Sequence, residues 1–131
     1  NTGVLALVNK GKYPIYDIQT RVVDVQKLDK LMPNINLSNL HLAEKRVECN
    51  NIIPDFMSVV LESWTIEHEP YQSYNIFTTA RNGSFLQILR MKKINNHWVK
   101  ASKVTKSLSQ ESLFEAIDEN YPRQEDGSID W

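Results

Sequence analysis

The stretch Tyr74–Lys106, YNIFTTARNGSFLQILRMKKINNHWVKASKVTK, decides the fold. It reads as three antiparallel strands separated by two tight turns, Asn82-Gly83 and Asn95-Asn96. A two-residue hairpin loop asks for positive φ at its central positions, and Asn and Gly tolerate this best. With those loops Phe85 is expected opposite Ala80, Leu89 opposite Ile76 and Trp98 opposite Lys93. One face of the meander then gathers Tyr74, Ile76, Phe85, Leu89, Met91, Trp98 and Val104, the expected core face. The other face carries Phe77, Leu86, Ile88 and Val99 among Arg81, Arg90, Lys92 and Lys103.

Working outward, residues 4–25 add more strand signal. Val4–Val8 is a short apolar run, and Asn9-Lys10-Gly11-Lys12 is a turn signal. Tyr13-Pro14 marks a strand start, because Pro cannot donate to a ladder. From Ile15 the pattern alternates, with Tyr16, Ile18, Thr20, Val22 and Asp24 on one side. QKLDKLM reads as one helical turn before Pro33, and Asn34–Asn39 as a loop. Leu40–Cys49 alternates weakly. Asn50-Asn51 and Pro54-Asp55 are turn signals. Phe56–Glu67 fits both periods, and its β-branched residues favour a strand. Residues 107–122, SLSQESLFEAIDENYP, read as a helix: Ser107 or Ser109 caps it, Leu113, Phe114 and Ile117 make a stripe, and Pro122 stops it.

The expected fold is therefore mostly β: an immunoglobulin-like antiparallel β-sandwich over residues 1–106, with a C-terminal helix and tail, 107–131, packed on the same domain. The competing architecture, a curved sheet wrapped by helices, needs a long N-terminal helix that the sequence does not offer.

Composition agrees with one ordinary domain. The 131 residues are 41% hydrophobic and 24% charged, with a net charge of −1. That balance gives no global attraction to nucleic acid or anionic surfaces. No apolar run approaches the ~20 residues of a membrane helix. The chain begins Asn1-Thr2-Gly3, without an initiator Met, and reads as a domain of a longer protein.

Candidate chemistry is sparse. Cys49 is the single cysteine, so CxxC redox and metal motifs are excluded. It could act as a nucleophile beside His41, His68 or His97, but a strand neighbour of Ala43 and Val47 is more simply a small buried hydrophobe. His68 alternates away from Glu67 and Glu69, and no metal-type histidine spacing is present. There is no phosphate-binding glycine loop and no G-x-S-x-G. The sequence therefore points to no catalytic residue, metal or cofactor.

Charge is segregated. Residues 81–106 carry seven bases and no acid, and residues 107–131 carry seven acids and one Arg. The functional reading is a candidate anion-binding surface of Arg81, Arg90, Lys92 and Lys103. The structural reading is that the acidic segment folds back over it. The second is preferred, so no nucleic-acid partner is expected.

The segments NKGKYPIYDIQTRVVDV and YNIFTTARNGSFLQILRMKKINNHWVKASKV, with the tail LFEAIDENYPRQEDGSIDW, resemble a family of uncharacterised bacterial proteins. That family shares a GKYPLYD segment, an NIFFxARNG hairpin, a W..A..V strand and a similar tail. It carries no assigned activity. In it, membrane-spanning or coiled-coil segments often precede such a domain, so the resemblance implies a periplasmic or envelope-associated module, with any membrane attachment outside this chain. The first segment also looks like bacterial immunoglobulin-like adhesion or scaffold domains. The expected function is a non-enzymatic interaction or scaffolding module with a protein partner. The rival is a small-molecule-binding or hydrolytic domain, which requires a pocket with convergent polar groups.

Overall fold

The computed structural model describes residues 2–65, 70–107, 109 and 111–131. Two antiparallel sheets pack face to face. The smaller pairs β1 (Thr2–Val8) with β4 (Met57–Thr65). The larger holds β2 (Ile15–Asp24), β3 (Glu44–Ile52), β5 (Tyr71–Ala80), β6 (Gly83–Ile94), β7 (His97–Lys106) and β8 (Ser112–Ile117), in the order β3-β2-β5-β6-β7-β8. The protein is thus a mostly β sandwich. An immunoglobulin constant-type sandwich divides its strands four and three. Here the described strands divide two and six.

Burial of alternate residues drives this assembly. In β2, Ile18, Thr20, Val22 and Asp24 are buried, as the expected alternation requires, while Tyr16 of the same face is exposed and Val23 of the other face is buried as well. Val22, Tyr74 and Ile76 form the centre of the core, and Leu5, Leu89 and Met91 pack against them. Leu5 comes from the small sheet and the rest from the large one, so this cluster joins the two layers. Gln72 is fully buried beside it and accepts a hydrogen bond from the Tyr74 hydroxyl at 2.5 Å.

The meander forms with one slip. Asn95 and Asn96 adopt positive φ, 48° and 65°, and Trp98 pairs with Lys93 as expected. The first turn is Arg81-Asn82 instead of Asn82-Gly83, because Ala80 pairs with Gly83. Leu89 accordingly lies opposite Tyr74 instead of Ile76, and Phe85 opposite Thr78 instead of Ala80. Gly83 alone of these turn residues takes positive φ, at 135°. One glycine thus absorbs the reversal while Arg81 and Asn82 keep ordinary φ. The slip is two residues in pairing, so every side chain keeps its face and the predicted core face survives.

The expected C-terminal helix is a strand. Residues 112–117 pair antiparallel with β7 as β8. The helical spacing of Leu113, Phe114 and Ile117 is real, but the outer edge of β7 offers a row of unpaired backbone groups directly before it in sequence. Pairing there satisfies a whole ladder, which outweighs a six-residue propensity. Leu113 and Phe114 are consecutive, so they point to opposite faces and both stay about half exposed. The helix that does form, α1 (Val25–Leu31), lies at the other position read as helical. Asp24 caps it by accepting from the Lys27 amide at 3.0 Å, and Pro33 follows its end.

Beyond β8 the tail returns over the outer face of β6 and β7. The Asp118 carboxylate accepts from the Lys100 amide at 2.9 Å, and Tyr121 is buried at 3% exposure. The expected covering helix is thus replaced by two contacts: β8 extends the sheet at the edge of β7, and the tail lays Tyr121 against Lys92 and Trp131 against Lys103.

Candidate functional site

Three surfaces carry recognisable chemistry, and the most unusual is one end of the sandwich. There the β1–β2 turn and the β3–β4 turn meet on Asn9, which is 2% exposed. Its side-chain amide donates to the Tyr13 carbonyl at 2.8 Å and to the Ile52 carbonyl at 3.0 Å. Its side-chain oxygen accepts from the Gly11 amide at 2.8 Å. Its backbone N–H donates to the Phe56 carbonyl at 3.2 Å, and its carbonyl accepts from the Asp55 amide at 2.9 Å. One residue therefore ties both turns together, and Asp55 takes a positive φ of 62° to close the second. The β5–β6 turn joins them. The Arg81 amide donates to the Tyr16 carbonyl at 3.0 Å, its guanidinium lies 2.6 Å from the Asp17 carboxylate, and it sits 5.3 Å from the centre of the Tyr16 ring.

On this framed end the side chains face outward. Tyr13 is 75% exposed, Met57 63% and Phe56 60%, with Ile53, Val8 and Tyr16 also exposed. These large apolar side chains lie exposed on the turns and strand ends at this end of the sandwich. Lys10 and Lys12 stand exposed in the same turn. The sequence announced both turns through Asn-Lys-Gly-Lys and Pro-Asp. It did not announce that they meet. The available signal was Tyr, Ile, Phe and Met flanking turn residues, where polar neighbours are the rule.

The second surface is the candidate anion-binding set. The structure brings Arg90, Lys92 and Lys103 together under the tail and places Arg81 apart, at the opposite turn. Arg90 is 7% exposed. Its guanidinium donates to the Tyr74 carbonyl at 3.0 Å, to the Asn75 side-chain oxygen at 3.2 Å and to the Leu89 carbonyl at 3.2 Å. Burial lowers its pKa, and Tyr71, Tyr121 and Asp130 oppose that loss. The Lys92 ammonium lies 5.4 Å from the Tyr121 ring centre and 5.8 Å from that of Tyr71. The Lys103 ammonium lies 3.6 Å from the Glu115 carboxylate and 5.6 Å from the Trp131 ring centre. Aromatic and acidic groups of the C-terminal segment thus occupy the places an anion would take.

Tyr121 is the centre of that cover. Its hydroxyl is buried without a hydrogen-bond partner among the described residues, and burial, then Tyr71, push its pKa up to about 12. The neutral phenol is the form the fold accepts. Its stabilising contribution is present below the ordinary tyrosine value near 10 and is lost as pH rises toward 12. Tyr121→Phe is expected to raise stability at neutral pH by up to about 1 kcal/mol, because it removes an unpaired buried hydroxyl. It should also flatten the fall of the melting temperature between pH 10 and 12. Equal alkaline losses in both proteins would show that Tyr121 is not the group responsible.

The third surface is an open basin of about 500 Å³ on the half of the large sheet that includes β3, β2 and β5. Arg21 and Arg46 line it with Gln19, Glu48, Thr79 and Ser84. Both guanidiniums are held. Glu44, whose side chain is 6% exposed, accepts from Arg46 Nε at 2.7 Å and lies 3.6 Å from Arg21. Arg21 also sits 4.6 Å from the centre of the Phe77 ring, so that ring face is closed to a ligand.

Cys49 is partly buried on β3, and no hydrogen bond joins it to His41 or His97 among the described residues. His68 lies outside the described residues. Among the described residues no group of three or more His, Cys, Asp or Glu side chains is arranged to hold a metal. No described helix is long and apolar enough to cross a membrane.

Comparison of the chain with family models, with curated proteins and with solved structures finds no match.

Proposed function

We propose that this chain is a non-enzymatic interaction or scaffolding module of a larger bacterial, envelope-associated protein, and that it works through the end of the sandwich framed by Asn9. The observation that carries this reading is the contrast at that end. The backbone is fixed by five hydrogen bonds to one buried residue, while Tyr13, Phe56 and Met57 project into solvent. Rigid loops that present large side chains meet a partner without an ordering cost. The resemblance to an uncharacterised bacterial family, and more weakly to immunoglobulin-like adhesion and scaffold domains, supports the same reading.

The basin favours a second reading, a small-molecule-binding domain. Its arginines, amide and hydroxyls converge on one open space. It is open, and both of its arginines are already engaged by Glu44, so it is the weaker of the two.

A photo-cross-linking residue placed at Phe56 in the native organism tests the first reading. Leu37 is the control, since it is 94% exposed at the opposite end. Adducts are expected at position 56 and not at 37. Equal yields at both positions would refute a dedicated surface.

A further inference from the structure

We infer that the occupant of this end is an anionic lipid bilayer surface, an inference that rests on the end being the working surface. Three features of the patch select that chemistry. First, its composition is interfacial. Tyr13 and Tyr16 have an apolar ring and a polar tip, the combination favoured at the boundary between headgroups and acyl chains. Phe56, Met57, Ile53 and Val8 supply apolar groups. Second, the patch sits on turns that close strand pairs, Val8 opposite Met57 and Ile15 opposite Ile52. Tyr13, Ile53 and Phe56 lie on those turns, past the last strand pairs, as a shallow insertion requires, and Val8, Tyr16 and Met57 are the strand residues beside them. Third, the charge has a sign. Asp17 is paired with Arg81 at 2.6 Å. Of the remaining charges in residues 8–17 and 50–57, Lys10 and Lys12 face a single acid, Asp55. The excess is positive, which matches an anionic headgroup layer. A chain with a net charge of −1 gives no such attraction overall, so the orientation is set by this end alone.

The backbone bonds to Asn9 make the geometry ready before contact. Tyr13 and Phe56 come from different turns, yet their carbonyls both accept from Asn9. No loop has to fold on the membrane.

The test uses the intact chain and vesicles of phosphatidylcholine, alone or mixed with phosphatidylglycerol. The protein should co-sediment with the mixed vesicles, and less so as salt is raised. Tyr13→Ser combined with Phe56→Ser should lower partitioning about tenfold or more. Lys10→Glu combined with Lys12→Glu should abolish the preference for phosphatidylglycerol. All four side chains are exposed or lie on the turn surface, and unchanged melting temperatures will show that the variants remain folded. Absence of wild-type binding to the mixed vesicles overturns the inference, as does serine-variant binding equal to wild type. If vesicles are ignored while the cross-linker at position 56 still captures a protein, the bilayer is excluded and the working end stands. If that position captures neither lipid nor protein, the underlying reading falls with it.

Discussion

Asn9→Ala is expected to destabilise the domain by about 3 kcal/mol and to disorganise the end of the sandwich around it. The side chain makes three hydrogen bonds, to Gly11, Tyr13 and Ile52, from a site 2% exposed. A typical bond contributes about 1 kcal/mol net, and a buried partner left unsatisfied costs about 1–3 kcal/mol. The Ile52 carbonyl is the critical one, since Ile52 is itself 4% exposed and water reaches it poorly. Alanine keeps the two backbone bonds to Asp55 and Phe56 but loses the side-chain bonds to Gly11, Tyr13 and Ile52, so the first turn loosens and the two turns are held together less tightly. Asn9→Asp is the informative companion. It keeps the oxygen that accepts from Gly11 but replaces the amide donor by a second oxygen facing the Tyr13 and Ile52 carbonyls. It should therefore be as damaging as alanine or worse. Chemical denaturation checks both, and a loss under 1 kcal/mol for each would show that the two turns hold without Asn9.

The second large effect is expected from the tail. Deleting residues 119–131 removes Tyr121 and Trp131 from beside Lys92 on β6 and Lys103 on β7. Tyr121 alone, buried at 3% exposure, is worth about 3–5 kcal/mol by the usual cost of deleting a buried aromatic ring. The Lys103–Glu115 pair survives the deletion, because Glu115 lies in β8, and being partly exposed it contributes less than about 1 kcal/mol in any case. Packing, and not charge, therefore dominates the stability change. Charge dominates the new property. Arg90, Lys92 and Lys103 lose Asp130 and two rings from their surroundings, and the shortened chain should bind a polyanion such as heparin in a salt-sensitive way. The full chain should bind it weakly or not at all. A shortened chain with an unchanged melting temperature would show that the tail is not part of the fold. Strong heparin binding by the full chain would make the basic surface functional.

These two sites show what the amino-acid order reveals and what it hides. Asn95-Asn96 is legible because a two-residue loop demands positive φ and Asn supplies it locally. Arg81-Asn82 is not, because the demand moves to Gly83 once the loop is displaced by one residue, and either placement keeps the same faces. The segment 112–117 has helical spacing, yet it is a strand, since the edge of β7 is a tertiary fact absent from a local window. The meeting of tail and basic strands was readable from the opposite charge of residues 81–106 and 107–131. The role of Asn9 was not. A single Asn in a turn looks like any other, and only the strand pairing places Ile52 and Phe56 against it.

The proposed working end is the one that bears Tyr13, Phe56 and Met57. The most direct measurement places one photo-cross-linking residue in turn at position 56, at position 79 in the basin and at position 37 at the far end, in the full protein within its own cells. Adducts are expected to concentrate at position 56, and to be lost when Asn9 is replaced by Ala at a temperature where that variant remains folded. Adducts concentrated at position 79 would contradict it and assign recognition to the basin.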